Sequence, residues 1–385
     1  MLLRLQRQIA PAEWQAVEAV ARDLGYSFEF LGDRRDLVQL TRVADAIGEA
    51  GPDHLARFGD LSGVIGILDP GDVRELWKGP IGAAPTVVEA RGARFGGGAV
   101  SIIAGPCAVE DESRLLQVAQ SVAARGATLF RGGAYKPRTS PYSFQGLGAP
   151  GLEMLGAVRE VTQLGIITEV LDPRDVDAVA QIADVVQVGA RSMANYALLK
   201  ELGQIDRPVL LKRGFGATVS EFLGAAEYIL SGGNGQVILC ERGVRGFDSV
   251  TRNLLDVGAI AHLKGATHLP VVADPSHAAG RSDLVRALGR AGLVVGADGL
   301  MIEVHPAPAE VHSDGSQAIG LGEFEALVGD AKALCDLDGR TLIAGTGQNG
   351  AAPAADGSPS GATSGDASSG VAPNSPQLST LRGTA

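Results

Sequence analysis

The sequence has little cysteine: its 385 residues include only Cys107, Cys240 and Cys335, far apart from one another. An odd and widely spaced set gives no disulfide framework and fits a reducing compartment. Long apolar runs are also missing, since no uncharged stretch approaches the ~20 residues that a membrane-spanning helix needs. The first residues, MLLRLQRQIAPAEW, lack the apolar core and cleavage site of a secretory leader. We therefore expect a soluble cytoplasmic protein with no membrane partner.

Positive charge is in the minority. The chain has 33 Lys and Arg against 44 Asp and Glu, which gives a formal net charge of −11. A surface for nucleic acid or for anionic lipid needs an excess of cations, so neither partner is expected. A basic segment in such a chain is a local feature, and it indicates a small anionic ligand.

One segment, residues 131–148, contains no acidic residue. It reads RGGAYKPRTSPYSFQGLG and carries Arg131, Lys136 and Arg138 together with four glycines and two prolines. Glycine lets the backbone approach a ligand closely, and proline stiffens the rest of the loop. Three cations on a stiff loop suit the binding of phosphate or carboxylate. The alternative is a solvated loop that carries three charges by chance.

Residues 1–80 are predicted to form a separate unit. Their apolar spacing predicts the order strand, helix, strand, strand, helix, strand, as in a ferredoxin-like α+β module. The unit has no cluster of catalytic type, so it is either a packing appendage or, as we favour, a regulatory or oligomerisation domain. Residues 81–97 link it to the next unit. There we expect a hairpin in which Thr86–Ala90 and Ala99–Ile103 flank a glycine-rich turn.

From Ala99 onward, short apolar runs alternate with longer amphipathic stretches. Buried strands alternating with helices predict a parallel sheet covered on both faces. Eight such units predict a (β/α)8 (TIM) barrel over residues 98–340. An open doubly wound sheet is the alternative, but its usual glycine fingerprint is missing after the first strand, which continues as AGPCAVE. The predicted strands are Val100–Ala104, Thr128–Arg131, Ile166–Val170, Val185–Val188, Val209–Lys212, Val237–Cys240, Val271–Ala273 and Leu300–Val304.

The C-terminal residues 345–385 differ in composition from the rest of the chain. They are rich in Gly, Ala, Ser, Thr and Pro and have almost no large apolar side chain, so we expect a disordered tail. A G-x-G-x-x-G pattern at Gly345, Gly347 and Gly350 has no strand-turn-helix context, and we do not interpret it as a nucleotide site.

Ionisable residues collect at the ends of the predicted strands, on the face that carries the active site in barrel enzymes. One subset offers a thiolate, an imidazole and two carboxylates, which suits a divalent transition metal. Taken singly, Cys107 could be a buried small apolar residue, His277 could bond to backbone and Asp314 could be a turn residue. The members of this subset are Cys107, His277, Glu303 and Asp314.

A second subset consists of cations. Converging on one barrel mouth, they would repel each other without an anionic ligand or nearby carboxylates. One or two could be rim charges or partners of acidic residues, but the whole set implies at least two anionic groups, most simply on two small substrates. Its members are Arg131, Lys136, Arg138, Arg191, Lys212 and Arg242.

The strings at these strand ends resemble those of 3-deoxy-D-arabino-heptulosonate 7-phosphate (DAHP) synthase. More narrowly, they resemble its type I β branch, which has an N-terminal ferredoxin-like domain. The likeness covers about residues 98–338, and more loosely 1–80. The strings are AGPCAVE (104–110), RGGAYKPRTSPYSFQGLG (131–148), QVGARSM (187–193), LLKRG (210–214), ILCERG (238–243), ADPSHAAGR (273–281) and IEVHP (302–306).

The resemblance implies a condensation of phosphoenolpyruvate with erythrose 4-phosphate, the first step of the shikimate pathway. It also implies site residues. Cys107, His277, Glu303 and Asp314 correspond to the ligands of a divalent metal, with Mn2+ preferred and Fe2+, Co2+ or Zn2+ left open. The residues implied to bind phosphoenolpyruvate are Arg131, Lys136, Arg191, Lys212 and Arg242. Those implied to bind the aldose phosphate are Arg138, Thr139 and Ser140. The candidates for proton transfer are Lys136, His277 and Glu169.

Two departures from the family pattern and several alternatives remain. Gly246-Phe247-Asp248 stands where a hydroxyl residue is expected, and the string HSDGSQ around Asp314 is slightly altered. The main alternative is the related synthase that uses arabinose 5-phosphate, although its string after Tyr135 is of KANRSS type rather than KPRTS. A class II aldolase and a non-catalytic phosphometabolite-binding regulator are more distant alternatives. The resemblance further suggests an aromatic amino acid effector and a homo-oligomer, for which a tetramer would be consistent with the family.

Overall fold

The structure is a computed structural model that describes residues 2–6, 9–30, 37–43, 52–68, 75–79, 84–136, 140, 142–306 and 315–345. Three predicted site residues, Arg138, Thr139 and Asp314, lie outside these ranges. Residues 346–385 of the predicted disordered tail also lie outside them. None of the helices in the described ranges is both long and apolar enough to span a membrane.

The N-terminal part is a four-stranded antiparallel sheet with two helices. Its elements are β1 (Leu2–Leu5), α1 (Pro11–Asp23), β2 (Tyr26–Phe30), β3 (Leu37–Arg42), α2 (Pro52–Gly59) and β4 (Val64–Leu68). The strands lie in the order β2-β3-β1-β4, and β1 is antiparallel to both neighbours. Leu3 and Leu5 share a buried cluster with Val17 and Phe58, which come from the two helices. The predicted order of strands and helices is confirmed.

The hairpin that follows is present, but its predicted second strand is wrong. β5 (Val88–Ala90) pairs with β6 (Ala93–Phe95), whereas Ala99–Ile103 belongs to the first barrel strand. The cause is an earlier turn, because Arg91 and Gly92 both have positive φ, 32° and 85°, as a two-residue hairpin turn requires. The apolar side chains of the hairpin join the buried cluster inside the barrel.

Eight parallel strands form the predicted barrel. The first and last strands, β7 and β14, pair from Ser101 with Gly299 to Gly105 with Glu303, so the sheet is closed and the open-sheet alternative is wrong. Each predicted strand is confirmed within a residue or so. The strands are β7 (Ala99–Gly105), β8 (Leu129–Arg131), β9 (Gly165–Glu169), β10 (Val185–Val188), β11 (Val209–Lys212), β12 (Val237–Glu241), β13 (Val271–Ala273) and β14 (Gly299–Glu303).

Helices cover the outside of the barrel, and several begin at an Asp, Asn or Thr whose side chain accepts a backbone N–H of the first turn. A short last strand, β15 (Thr341–Leu342), pairs with β7. The helices are α3 (Glu112–Ala123), α4 (Ala149–Thr162), α5 (Val176–Ile182), α6 (Tyr196–Gln204), α7 (Val219–Ser231), α8 (Val257–Ala266), α9 (Pro275–Ala279), α10 (Val285–Val294) and α11 (Leu321–Leu337).

Hydrogen bonds anchor the segment around Leu76 and Trp77 to the barrel. The two backbone N–H groups donate to the carboxylate of Glu227, at 3.0 and 3.3 Å. The ring of His268 lies 2.9 Å from the carbonyl oxygen of Leu76 through Nε2 and 2.6 Å from the hydroxyl of Thr86 through Nδ1. A carbonyl only accepts, so Nε2 carries the proton and Nδ1 accepts. Burial lowers the pKa of His268 to about 4, which favours this neutral ring.

Candidate active site

A polar pocket opens at the C-terminal ends of the barrel strands. It contains about 750 Å³ of space free of protein atoms, including its open mouth. Parallel strands end on the same side of the barrel, and this brings together residues that are far apart in sequence. The sequence-predicted residues that line it are Cys107, Arg131, Lys136, Glu169, Arg191, Lys212, Arg242 and His277. Further lining residues are Gln187, Gly189, Ala190, Phe215 and Arg252.

Three of the four predicted metal ligands lie together. Cys107 follows β7, His277 is carried by α9 and Glu303 ends β14, and their ligand atoms all lie within 4.8 Å of one another. The cysteine and the glutamate are 3% and 1% exposed, so both donors are withdrawn from bulk water. The histidine Nε2 lies 3.6 Å from the glutamate Oε2. A mixed thiolate, imidazole and carboxylate set of this kind suits a divalent transition metal.

The orientation of His277 is fixed by Asp274, the N-cap residue of α9. The fully buried Asp274 carboxylate accepts from Nδ1 of His277 at 2.9 Å and from Nζ of Lys212 at 2.6 Å. This contact leaves Nε2 on the side of Glu303, because a carboxylate that holds one ring nitrogen of a histidine turns the other towards a metal site. Burial raises the pKa of Asp274, but its interactions with His277 and Lys212 outweigh burial and hold that pKa well below its usual range. Burial lowers the pKa of His277 to about 3, against the opposing effect of Asp274.

Two cations lie directly against the metal-ligand cluster. Lys136 is buried, and its Nζ donates to the carbonyl oxygen of Cys107 at 2.7 Å and to its Sγ at 2.9 Å. Arg131 places Nη1 4.0 Å from the carboxylate of Glu303, and this atom has no hydrogen-bond partner among the described residues. Burial lowers the pKa of Arg131, but Glu303 and other anions raise it to above its ordinary value.

Glu169, at the end of β9, is a buried carboxylate among these cations. Its Oε2 accepts from Nε2 of Gln187 at 3.3 Å, and its Oε1 has no partner within the described part of the chain. Burial raises the pKa of Glu169, although nearby cations such as Lys136 oppose the shift. Gly189 makes room for it, because a Cβ there would lie 1.9 Å from Oε1. The site thus holds a carboxylate whose affinity for a proton is raised.

Three guanidinium groups gather around the ring of Phe215, which lines the pocket. The guanidinium groups of Arg242, Arg191 and Arg245 lie 4.7, 5.3 and 5.5 Å from the ring centroid of Phe215, within the range of cation–π interactions. Burial lowers the pKa of Arg242. The ring therefore helps to hold several positive charges in one place.

The sequence reasoning missed Gln187, Phe215 and Arg252. Gln187 could have been found from the sequence, because it is a polar amide within the otherwise apolar run of β10. The other two lie in loops, where the pattern gives no indication of side-chain direction. Ser140 was predicted, and it is an exposed loop residue that does not line the pocket.

Comparisons with known proteins agree with this geometry. The sequence profile described as the DAHP synthetase I family matches residues 85–337. A "phospho-2-dehydro-3-deoxyheptonate aldolase" of Thermotoga maritima is 47% identical over 254 residues, which cover 66% of this chain and 75% of the relative. A "2-dehydro-3-deoxyphosphooctonate aldolase" of Chromobacterium violaceum is 33% identical over 213 residues, covering 52% of this chain and 75% of the relative.

Two solved structures are similar over most of their length. The crystal structure of the Thermotoga maritima DAHP synthase has a TM-score of 0.68 at 38% identity and covers 89% of this chain and 98% of its own. A truncated form of the enzyme from the same organism has a TM-score of 0.65 at 41% identity and covers 70% and 99%. With a profile match across the whole barrel and these relatives, the chain belongs to the DAHP synthetase I family.

Proposed function

We propose that this enzyme condenses phosphoenolpyruvate with erythrose 4-phosphate and water, giving DAHP and inorganic phosphate. This is the first step of the shikimate pathway towards chorismate and the aromatic amino acids. The observation that carries the proposal is a pocket lined by six cationic side chains beside the Cys107–His277–Glu303 cluster. Two phosphorylated substrates need such an excess of cations. The family match and the name of the Thermotoga maritima relative support the same reaction.

The donor cluster fits a divalent metal. Its three ligand atoms lie within 4.8 Å of one another, and Asp274 turns Nε2 of His277 towards Glu303. Asp314 is the fourth ligand in this proposal. Sulfur, nitrogen and oxygen donors together accept several first-row metals, so we propose Mn2+, with Fe2+, Co2+ and Zn2+ as alternatives. When bound, the ion supplies Lewis-acid polarisation of the aldehyde oxygen.

The cations of the pocket bind phosphoenolpyruvate. Arginine forks match phosphate and carboxylate oxygens, and lysines add point charges. Several of these side chains are buried, and a contact to an anion is stronger where water is excluded. Nη1 of Arg131 is a buried donor suited to a substrate oxygen. The proposed binding residues are Arg131, Lys136, Arg191, Lys212 and Arg242.

The carbon–carbon bond forms when the methylene carbon of phosphoenolpyruvate attacks the aldehyde carbon. Positive charge then develops at the former enol carbon, water adds there, and the C–O bond to phosphate breaks. The pocket cations hold the leaving phosphate. Lys136, His277 and Glu169 are the candidates for proton transfer. The raised pKa of Glu169 makes it a stronger base than an ordinary carboxylate, which suits a proton acceptor from water.

Arg138, Thr139 and Ser140 of the KPRTS string are proposed to bind the phosphate of the aldose. The choice of the four-carbon sugar rests on that string and on sequence identity. The relative named for heptonate chemistry is 47% identical, and the Chromobacterium violaceum relative named for octonate chemistry is 33% identical. Erythrose 4-phosphate is therefore the proposed second substrate.

A phosphate-release assay tests the reaction. The protein is mixed with phosphoenolpyruvate and either erythrose 4-phosphate or arabinose 5-phosphate, with and without a chelator. We expect release with the four-carbon sugar only, abolished by chelation and restored by Mn2+. Turnover with arabinose 5-phosphate alone would indicate the octonate reaction, and binding without any turnover would indicate a regulator. Turnover in excess chelator would contradict the metal.

We also propose that residues 1–80 are a regulatory domain that binds an aromatic amino acid, in a cytoplasmic homo-oligomer such as a tetramer. The support for this role is the N-terminal four-stranded sheet, which is separate from the barrel sheet and offers a place for an effector to bind. A deletion should stop before Glu75, because Leu76 and Trp77 are bonded to the barrel. If inhibition by phenylalanine or tyrosine is unchanged in the shortened protein, the regulatory role is wrong. Light scattering on both proteins measures the oligomer.

A further inference from the structure

A chain of side-chain hydrogen bonds connects the pocket rim to the metal-ligand cluster. Nη1 of Arg252, which lines the pocket, donates to Oε1 of Gln317 at 2.6 Å. Nε2 of Gln317 donates to Oε2 of Glu303 at 2.5 Å. Gln317 is fully buried, although the sequence gives it no role. A buried amide that donates to a carboxylate of the candidate metal site is placed to hold that carboxylate in position.

Donor and acceptor chemistry allows one orientation of this amide. A guanidinium only donates and an ionised carboxylate only accepts. The Gln317 oxygen must therefore face Arg252, and its NH2 group must face Glu303. If the amide were turned over, its NH2 group would face the Arg252 guanidinium and its oxygen would face the Glu303 carboxylate. Neither pair could form a hydrogen bond, and each buried polar group left without a bond costs free energy. Arg252 and Glu303 thus require the same orientation of the amide, and the bond to Arg252 adds to the cost of turning it over.

The backbone on both sides of the chain of bonds is also fixed. Ile319, two residues after Gln317, donates its N–H to the carbonyl oxygen of Glu303 at 3.0 Å. The N–H of Arg252 donates to the carbonyl oxygen of Ala279 at 2.9 Å, at the end of the helix that carries His277. The amide is therefore held at a set distance from the carboxylate, which is what positioning of a ligand needs.

We propose that Gln317, oriented by Arg252, is a positioning residue that fixes the Glu303 carboxylate for metal binding. The proposal rests on the metal site of the proposed function, but it concerns metal affinity and not the reaction. Loss of a side chain that hydrogen-bonds to a metal ligand weakens metal binding about 10- to 100-fold in comparable sites.

The test uses Gln317→Met, which keeps the side-chain volume and removes both hydrogen bonds. Its matched control is Gln187→Met, the same change to an amide that bonds to Glu169, a carboxylate outside the metal cluster. Mn2+ affinity is measured without substrates, from the electron paramagnetic resonance signal of free Mn2+. We expect about 10-fold or greater weakening in Gln317→Met and wild-type affinity in Gln187→Met. Equal affinities in the two variants would overturn the proposal.

Arg252→Met gives a second test that does not depend on the folding of Gln317→Met. Removing a cation near the cluster should strengthen Mn2+ binding if Arg252 acts only through its charge. The proposal predicts weaker binding, and no further loss when Arg252→Met is added to Gln317→Met, because the two act as one unit. Tighter binding in Arg252→Met would overturn it. The two proposals can fail separately. If the wild type turns over its substrates but Gln317→Met and Gln187→Met bind Mn2+ equally well, only the role of Gln317 is wrong. If Gln317→Met binds Mn2+ more weakly but the wild type shows no turnover, only the proposed reaction is wrong.

Discussion

Replacing Asp274 with asparagine tests the electrostatic design of the site. Asp274 is fully buried and accepts from Nζ of Lys212 at 2.6 Å and from Nδ1 of His277 at 2.9 Å. Asparagine keeps the size of the side chain but removes its charge. Lys212, whose side chain is 5% exposed, would then be buried without its ion-pair partner.

The size of the effect follows from this burial. Removing one partner of a buried ion pair costs about 3–5 kcal/mol of unfolding free energy, because the remaining charge stays out of water. The matched control is Asp330→Asn, which removes an ion pair with Arg286 whose side chains are 22% and 49% exposed. An exposed pair contributes at most about 1 kcal/mol. The two substitutions make the same chemical change and differ in the burial of the pair.

Urea unfolding followed by circular dichroism, with a chelator present, gives both free energies. We expect Asp274→Asn to lose several times more stability than Asp330→Asn, and its Mn2+ affinity to fall about 10- to 100-fold because His277 loses its orienting carboxylate. Equal losses of unfolding free energy in the two variants would refute the argument that burial makes the Lys212–Asp274 pair important.

Three further predictions concern Cys107, Gly189 and His268. Cys107→Ala should abolish metal-dependent phosphate release and leave the melting temperature near that of the wild type; full activity would remove Cys107 from the metal site. Gly189→Ala would set a Cβ 1.9 Å from Oε1 of Glu169, so turnover should fall about 100-fold or more while phosphoenolpyruvate binding is kept; unchanged kcat would remove Glu169 from the chemistry. The folded-state pKa of His268 is about 4, below its ordinary 6.5. The wild type should therefore lose stability as pH falls from about 6.5 towards 4, and His268→Asn should lose less over that range in urea titrations at pH 7 and 5; equal losses would contradict the neutral ring.

The barrel could be predicted because its strands are buried on both faces. Such strands read as continuous apolar runs, and each of the eight runs became a strand. Helix α8 is harder to predict, because its sequence, VGAIAHLKGA, is apolar on most sides and lacks a clear polar face. The hairpin was assigned to the wrong turn because Arg91 takes a positive φ that is uncommon for a residue other than glycine.

The site was predictable to the extent that strand ends determine it. Parallel strands bring Cys107, Lys212 and Glu303 to one face, whatever loops follow them. The strand pattern does not tell which of two neighbouring side chains at a strand end points into the site. Lys212 bonds to Asp274 inside the site, whereas the next residue, Arg213, pairs with Glu241 at 2.8 Å. Contacts made from loops, such as those of Phe215 and Arg252, depend on loop geometry that residue types alone do not determine.

The balance of charge in the pocket explains how so many cations can be held together. Lys212 has Asp274 at 2.6 Å, and Nη1 of Arg131 has Glu303 at 4.0 Å, so part of the repulsion is offset by carboxylates of the chain itself. Two buried atoms of pocket-lining residues have no hydrogen-bond partner among the described residues, Nη1 of Arg131 and Oε1 of Glu169. The Arg131 nitrogen donates, and the Glu169 oxygen accepts when the carboxylate is ionised. Buried polar atoms of this kind are expected to find hydrogen-bond partners. An anionic substrate oxygen would accept from Arg131, and an attacking water would donate to Glu169. A condensation in which water adds and phosphate leaves needs both of these contacts.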